Sequence, residues 1–159
     1  MPRKSFRTLA AFGKRIEYWM VGRMLKEGLD VYLPLVDDDA VDALVRRPNG
    51  STALVQIKAR SRDVIPGDAA LFSAIDHPAE RADYWFVFFS ERMDVMWIMT
   101  SGEFIEMSNQ NRKGKNVGKR SIWFNGHRRD KTTGRRSEYV KPQFMQYVAT
   151  DFRRIENGI

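Results

Sequence analysis

The sequence predicts an α/β fold in which a central mixed β-sheet is flanked by helices, and three stretches predict it. Near the N-terminus Phe12, Ile16, Met20 and Met24 recur every fourth residue, the period of a helix with one apolar stripe. Residues 41–46 and 52–59 are two short apolar runs joined by Pro48, Asn49 and Gly50, the pattern of a β-hairpin. Residues 84–90, reading YWFVFFS, are apolar at both alternating positions, as a strand buried in the middle of a sheet must be.

Taken in order, residues 1–8 carry Arg3, Lys4 and Arg7 and read as a basic arm. The first helix follows over residues 9–27, with Val21 and Leu25 beside the stripe and Gly28 as its C-cap. Residues 31–35 form a short strand that Pro34 assigns to a sheet edge. Asp37, Asp38 and Asp39 make a turn in which an Asx cap accounts for Asp37 and Asp39, with Asp38 a secondary contributor to the site. Pro66 and Gly67 interrupt a loop leading to a short helix around residues 68–75. Strands are expected over residues 84–90 and 94–100, and Ser101 is the expected N-cap of a short helix reaching Met107. Two basic loops then flank a strand over residues 121–125. Pro142 opens a final helix striped by Phe144, Tyr147, Val148 and Phe152.

A chain of 159 residues fits one domain, spanning residues 1–159, with an ordinary core. Its apolar runs fall short of the roughly 20 residues of a membrane span, and its pattern lacks a secretory signal, so a cytoplasmic protein without membrane contact is expected. Without cysteine there is no disulfide framework and no thiolate metal site. His77 and His127 stand alone at spacings that suit neither zinc nor a histidine-activated nucleophile. The net charge of +7 is concentrated: residues 112–141 hold eleven Lys or Arg against two acids. A patch of one sign fits a polyanionic partner.

The chemistry-bearing residues lie in the hairpin. In its second run Ala53, Val55, Ile57 and Ala59 alternate with Gln56, Lys58 and Arg60, so one face is buried and the other presents an amide beside an ammonium. A two-residue Asn-Gly turn would pair Asp42 with Ile57 and turn it to the wrong face; a three-residue Pro-Asn-Gly loop pairs it with Gln56. The second arrangement gathers a carboxylate, a carbonyl oxygen and an ammonium, a set that suits Mg²⁺ and a phosphoryl group. Glu17 lies at the border of the helix stripe, placed either to pair with Lys14 or Arg15 at the surface or to point toward the sheet.

A helix with Glu17, a strand with Asp42, a hairpin, and a strand with Gln56-x-Lys58 resemble the PD-(D/E)XK nuclease superfamily over about the first ninety residues. The text from Gly13 to Val45 is similar to small prokaryotic members, including resolvase-like and intron-homing endonucleases. The resemblance implies a restriction-endonuclease-like fold and a metal-dependent DNA endonuclease. Its catalytic set would be Glu17, Asp42, Gln56 and Lys58, with Mg²⁺ or Mn²⁺ on Asp42, Gln56 and Glu17. It also implies a homo-oligomer, since cutting two strands with one site per chain commonly takes two chains. Gln56 stands where the commonest form of the motif has a carboxylate, which removes one negative charge while keeping a ligating oxygen. The DNA backbone is expected on Arg60, Arg62, Lys113, Lys115, Lys119, Arg120, Arg128, Arg129, Lys131, Arg135 and Arg136. The alternatives are a nucleic-acid-binding domain of the same fold without catalysis, and an interaction protein whose basic face meets an acidic partner or RNA.

Overall fold

Thr8 opens the first helix by accepting the Ala11 amide on its hydroxyl, and α1 then runs Leu9–Lys26. The computed structural model describes residues 8–159, so the basic arm lies outside the described residues except for Thr8. Phe12, Met20, Val21 and Met24 bury the α1 stripe, whereas Leu25 is turned outward and is 55% exposed.

Strands β1 (Asp30–Tyr32), β2 (Ala43–Arg46), β3 (Thr52–Arg60), β5 (Tyr84–Ser90), β6 (Val95–Thr100) and β11 (Val148–Ala149) form one sheet in the order β1-β2-β3-β5-β6-β11. It is mixed because β3 and β5 run parallel while the other neighbours are antiparallel. β5 is buried along its whole length. Its Trp85, Val87 and Phe89 join Met20 and Met24 of α1 in one core. Its Tyr84, Phe86 and Phe88 join Phe72, Phe104, Ile122 and Phe124 in a second core on the opposite face.

The second core is covered by α2 (Ser101–Met107) and by a three-stranded sheet of β4 (Leu71–Ile75), β8 (Arg120–Trp123) and β7 (Asn109–Gln110) in the order β4-β8-β7. A two-stranded ribbon of β9 (Asn125–Arg129) and β10 (Arg136–Val140) projects beyond β8, and α3 (Arg153–Asn157) ends the chain.

Four local expectations are corrected. Residues 68–75 contain a strand, not a helix: Leu71 and Phe72 pair with Trp123 and Ile122, a long-range partnership that local periodicity does not reveal. The second basic loop is the β9–β10 ribbon, whose sparse apolar content hid its strand character. The final helix is broken into a 3-10 turn over Pro142–Tyr147, then β11, then α3. Its expected stripe is divided between the two cores, Phe144 and Tyr147 entering one and Phe152 the other. Thr100, not Ser101, caps α2, in a capping box with Glu103. The freed Ser101 hydroxyl serves the buried His77, 2.6 Å away, and the Arg81 amide.

Candidate active site

The hairpin register places the polar residues. Ala43 pairs with Val55 and Arg46 with Thr52, the register of a three-residue loop, and the ladder ends at Ala43, one residue short of Asp42. The turn is the three-residue loop: Arg47 N–H donates to the Ser51 carbonyl, Gly50 N–H to the Arg47 carbonyl, and Gly50 takes φ 85°. Lys58 follows Gln56 on the same face of β3 by strand alternation.

At Asp42 the two strands part. The Asp42 amide still donates to Val55 O at 2.8 Å, but the next ladder position is filled by its side chain, whose Oδ2 accepts the Ile57 amide at 2.7 Å. Ala40, with φ 55°, turns the chain away. The departing segment is pinned by three hydrogen bonds, two of them from a stacked Arg81–Tyr84 pair. Asp37 Oδ1 accepts the Val41 amide, Arg81 donates to the Asp39 carbonyl, the Tyr84 hydroxyl donates to the Ala40 carbonyl, and the Arg81 guanidinium lies 4.1 Å above the Tyr84 ring. Arg81 and Tyr84 carry no motif signal in the sequence. Only the β5 position next to β3 reveals their role.

Two clefts open at this fork. One, of about 400 Å³, is lined by Gln56, Lys58, Arg60, Ala40 and the β4 segment with Asp76. The other, of about 350 Å³, is lined by Glu17, Lys14, Asp37, Val41 and Asp42. The Ala40–Val41–Asp42 turn contributes to both. Ala74 in the first cleft is also left-handed, with φ 57°, where the β4–β8 register shifts between Phe72 and Ile75. Two of the four non-glycine residues with positive φ among the described residues thus border one cleft, a concentration of backbone strain of the kind found at working sites.

Gln56 is 6% exposed, and its Oε1 is buried without a hydrogen-bond partner. Burial pushes the Asp42 carboxyl up to about 6; the Ile57 amide and Lys58 oppose the rise, while Glu17 and Asp37 add to it. Glu17 combines its two sequence readings, since it lines the Asp42 cleft and its Oε2 pairs with Lys14 Nζ at 2.5 Å. That hydrogen bond raises the Lys14 pKa.

The basic residues divide by surroundings. Arg60 is half-buried against Asp68, and Arg120 donates to the His77 and Ile105 carbonyls, so both have structural partners. Arg62, Lys113 and Lys115 are exposed, as are Arg128, Arg129, Lys131, Arg135 and Arg136 of the ribbon; Lys119 is half-buried. Phe124 is wholly in the core, stacked on Trp97, whereas Trp123 is 40% exposed beneath Lys141 Nζ.

Among the described residues there is no group of three or more His, Cys, Asp or Glu side chains placed to hold a metal, and no helix long and apolar enough to cross a membrane. The architecture is a mixed α/β fold with a central mixed sheet and helices. In overall structure the chain is similar to a bacterial homing endonuclease, I-Ssp6803I, with a TM-score of 0.53 and 17% sequence identity, over 89% of this chain and 87% of that one. No protein-family model and no curated protein sequence matches the chain.

Proposed function

We propose that this chain is a metal-dependent DNA endonuclease of the PD-(D/E)XK type, acting at the fork between β2 and β3. The observation that carries the reading is the buried, unpartnered Oε1 of Gln56, in a cleft shared with Lys58 and next to the strained turn bearing Asp42. A buried carbonyl oxygen without a donor costs roughly 1–3 kcal/mol unless something binds it. Crowding and burial make the Asp42 charge expensive for the same reason.

An oxygen-binding divalent cation such as Mg²⁺ or Mn²⁺ would answer both only at the fork itself, because Asp42 and Glu17 line one cleft and Gln56 and Lys58 the other. Asp42 and Gln56 would hold it, with Glu17 approaching from α1. When bound, such a cation polarises a phosphoryl oxygen and lowers the pKa of a water. Lys58 then stabilises negative charge building on the phosphoryl oxygens as water attacks in line. Arg81 and Tyr84 position the Ala40–Asp42 turn, and the exposed basic residues hold the DNA backbone. A homo-oligomer in the cytoplasm is part of the same reading.

The second reading, a DNA-binding domain without catalysis, is favoured by the carboxylate-poor donor set. Cleavage of supercoiled plasmid and branched DNA with Mg²⁺ or Mn²⁺ separates the two. The nuclease reading expects metal-dependent cutting that falls at least about 100-fold in Asp42→Ala and Lys58→Ala while DNA binding survives. Equal binding by all three proteins with no cutting under either metal would establish the second reading.

A further inference from the structure

The β9–β10 ribbon belongs to neither larger sheet, and residues 128–136 carry five Lys or Arg against one acid. Its tip is built rather than loose. Asp130 N–H donates to the Arg135 carbonyl, Gly134 N–H to the Asp130 carbonyl, and Gly134 takes φ 69°. The Asp130 carboxylate is turned inward on the Thr133 and Thr132 amides, both at 2.8 Å, so the one acid serves the turn.

The root is fixed to the wall of the candidate active site. Buried Asn125 accepts the Ala70 amide at 2.8 Å and donates to the Gly67 carbonyl at 2.9 Å, directly ahead of β4. One ribbon face is held down at its base: Glu138 accepts from the Gly67 amide and from Arg92, both at 2.9 Å. The other face is exposed at Arg128, Ser137 and Tyr139. There the Tyr139 ring lies over Gly126, so close that a Cβ would sit 2.5 Å from its Cζ, and the Arg128 guanidinium lies 4.5 Å above the same ring. Arg129 and Arg136 are direct cross-strand partners, a like-charge pairing that opposes the ribbon unless an anion intervenes.

The major groove of B-form DNA, about 12 Å wide, admits a two-stranded ribbon, and a flat guanidinium matches the paired acceptors of a guanine edge. Building on the DNA reading above, we propose that β9–β10 enters the major groove of the duplex held at the cleft. Arg128, stacked on Tyr139, reads a guanine, and Arg129 and Arg136 grip phosphates.

The test uses the full chain in EDTA with a randomised duplex of about 30 base pairs, read by fluorescence anisotropy and by selection of bound sequences. Arg129→Ala/Arg136→Ala should weaken binding to all sequences alike and lower the salt slope by about 2. Arg128→Ala should lose roughly tenfold preference for guanine at one selected position. Gly126→Ala, which changes no charge but displaces Tyr139, should lose the same preference with the salt slope intact. DNA with glucosylated hydroxymethylcytosine, which fills the major groove, should compete poorly, and netropsin in the minor groove should not interfere. Double-stranded RNA, whose major groove is deep and narrow, should bind at least about tenfold more weakly.

Ribbon variants that keep wild-type affinity, salt slope and selected sequence would overturn the proposal, as would inhibition by netropsin alone or equal binding of double-stranded RNA. Plasmid cleavage assayed in parallel distinguishes the two failures. A wild-type chain that binds duplex but never cuts removes the nuclease reading and leaves the groove data to decide the ribbon. A wild-type chain that binds no duplex overturns both.

Discussion

Replacing Asp42 by Asn should make the protein more stable at neutral pH while abolishing the proposed activity. Burial is the main reason that the carboxyl titrates near 6 instead of 3.8. In the unfolded chain it ionises near its ordinary value, so between about pH 4 and 6 the unfolded state has released a proton that the native state still holds. Stability therefore falls as pH rises: this contribution is fully present below the unfolded pKa and is lost as pH passes about 6. At about 1.4 kcal/mol per pH unit the window is worth roughly 3 kcal/mol. Solvent screening of a part-exposed group brings this nearer to roughly 2 kcal/mol. Asn keeps an oxygen for the Ile57 amide but gives up the charge on that hydrogen bond, which offsets part of the gain. The net expectation is roughly 1–2 kcal/mol of added stability at about pH 8, a rise in Tm of roughly 3–6 °C, and little or none at about pH 4. Urea unfolding of both proteins across that range is the assay. Comparing them at each pH cancels His77, whose pKa is lowered by burial and whose stability contribution is instead lost as pH falls. A difference that fails to grow with pH, or an Asn variant that is less stable at the alkaline end, would refute the account of a desolvated carboxylate.

Gln56→Glu adds a second carboxyl at a buried position near Asp42. It should lower metal-free stability by roughly 1–3 kcal/mol and lower the Mg²⁺ concentration that raises Tm, measured by thermal unfolding against Mg²⁺. Arg47, 7% exposed, donates to both Asp83 oxygens at 2.6 Å and to the Ile155 carbonyl at 2.7 Å, tying the hairpin to β5 and α3. Arg47→Ala should cost roughly 2–3 kcal/mol in urea unfolding, the low end for a broken buried pair because Asp83 is part-exposed, with DNA affinity unchanged.

Much of the frame was legible because it is locally encoded. The α1 stripe, the three-residue turn at Gly50 and the doubly apolar β5 each declare themselves within a few residues, and the turn sets the register from Ala43 to Arg46. The elements that misled were those whose state depends on a distant partner. Residues 71–75 become a strand because β8 is there to pair with them, and Val148 leaves a helical pattern because the exposed edge of β6 at Trp97 accepts it. The ribbon has no apolar face to reveal it. Its order comes from backbone pairing, the Tyr139–Gly126 contact and the anchoring of Asn125.

By itself the sequence determined the three-residue turn, the register of the hairpin from Ala43 to Arg46 and the shared face of Gln56 and Lys58, since side-chain alternation and turn length are local properties of the chain. Only the tertiary structure decided what those residues experience. Packing of α1 and β5 around β3 supplies the burial that raises Asp42 and leaves the Gln56 oxygen unpartnered. Desolvation depends on what the rest of the chain places around a group, and no short segment encodes that.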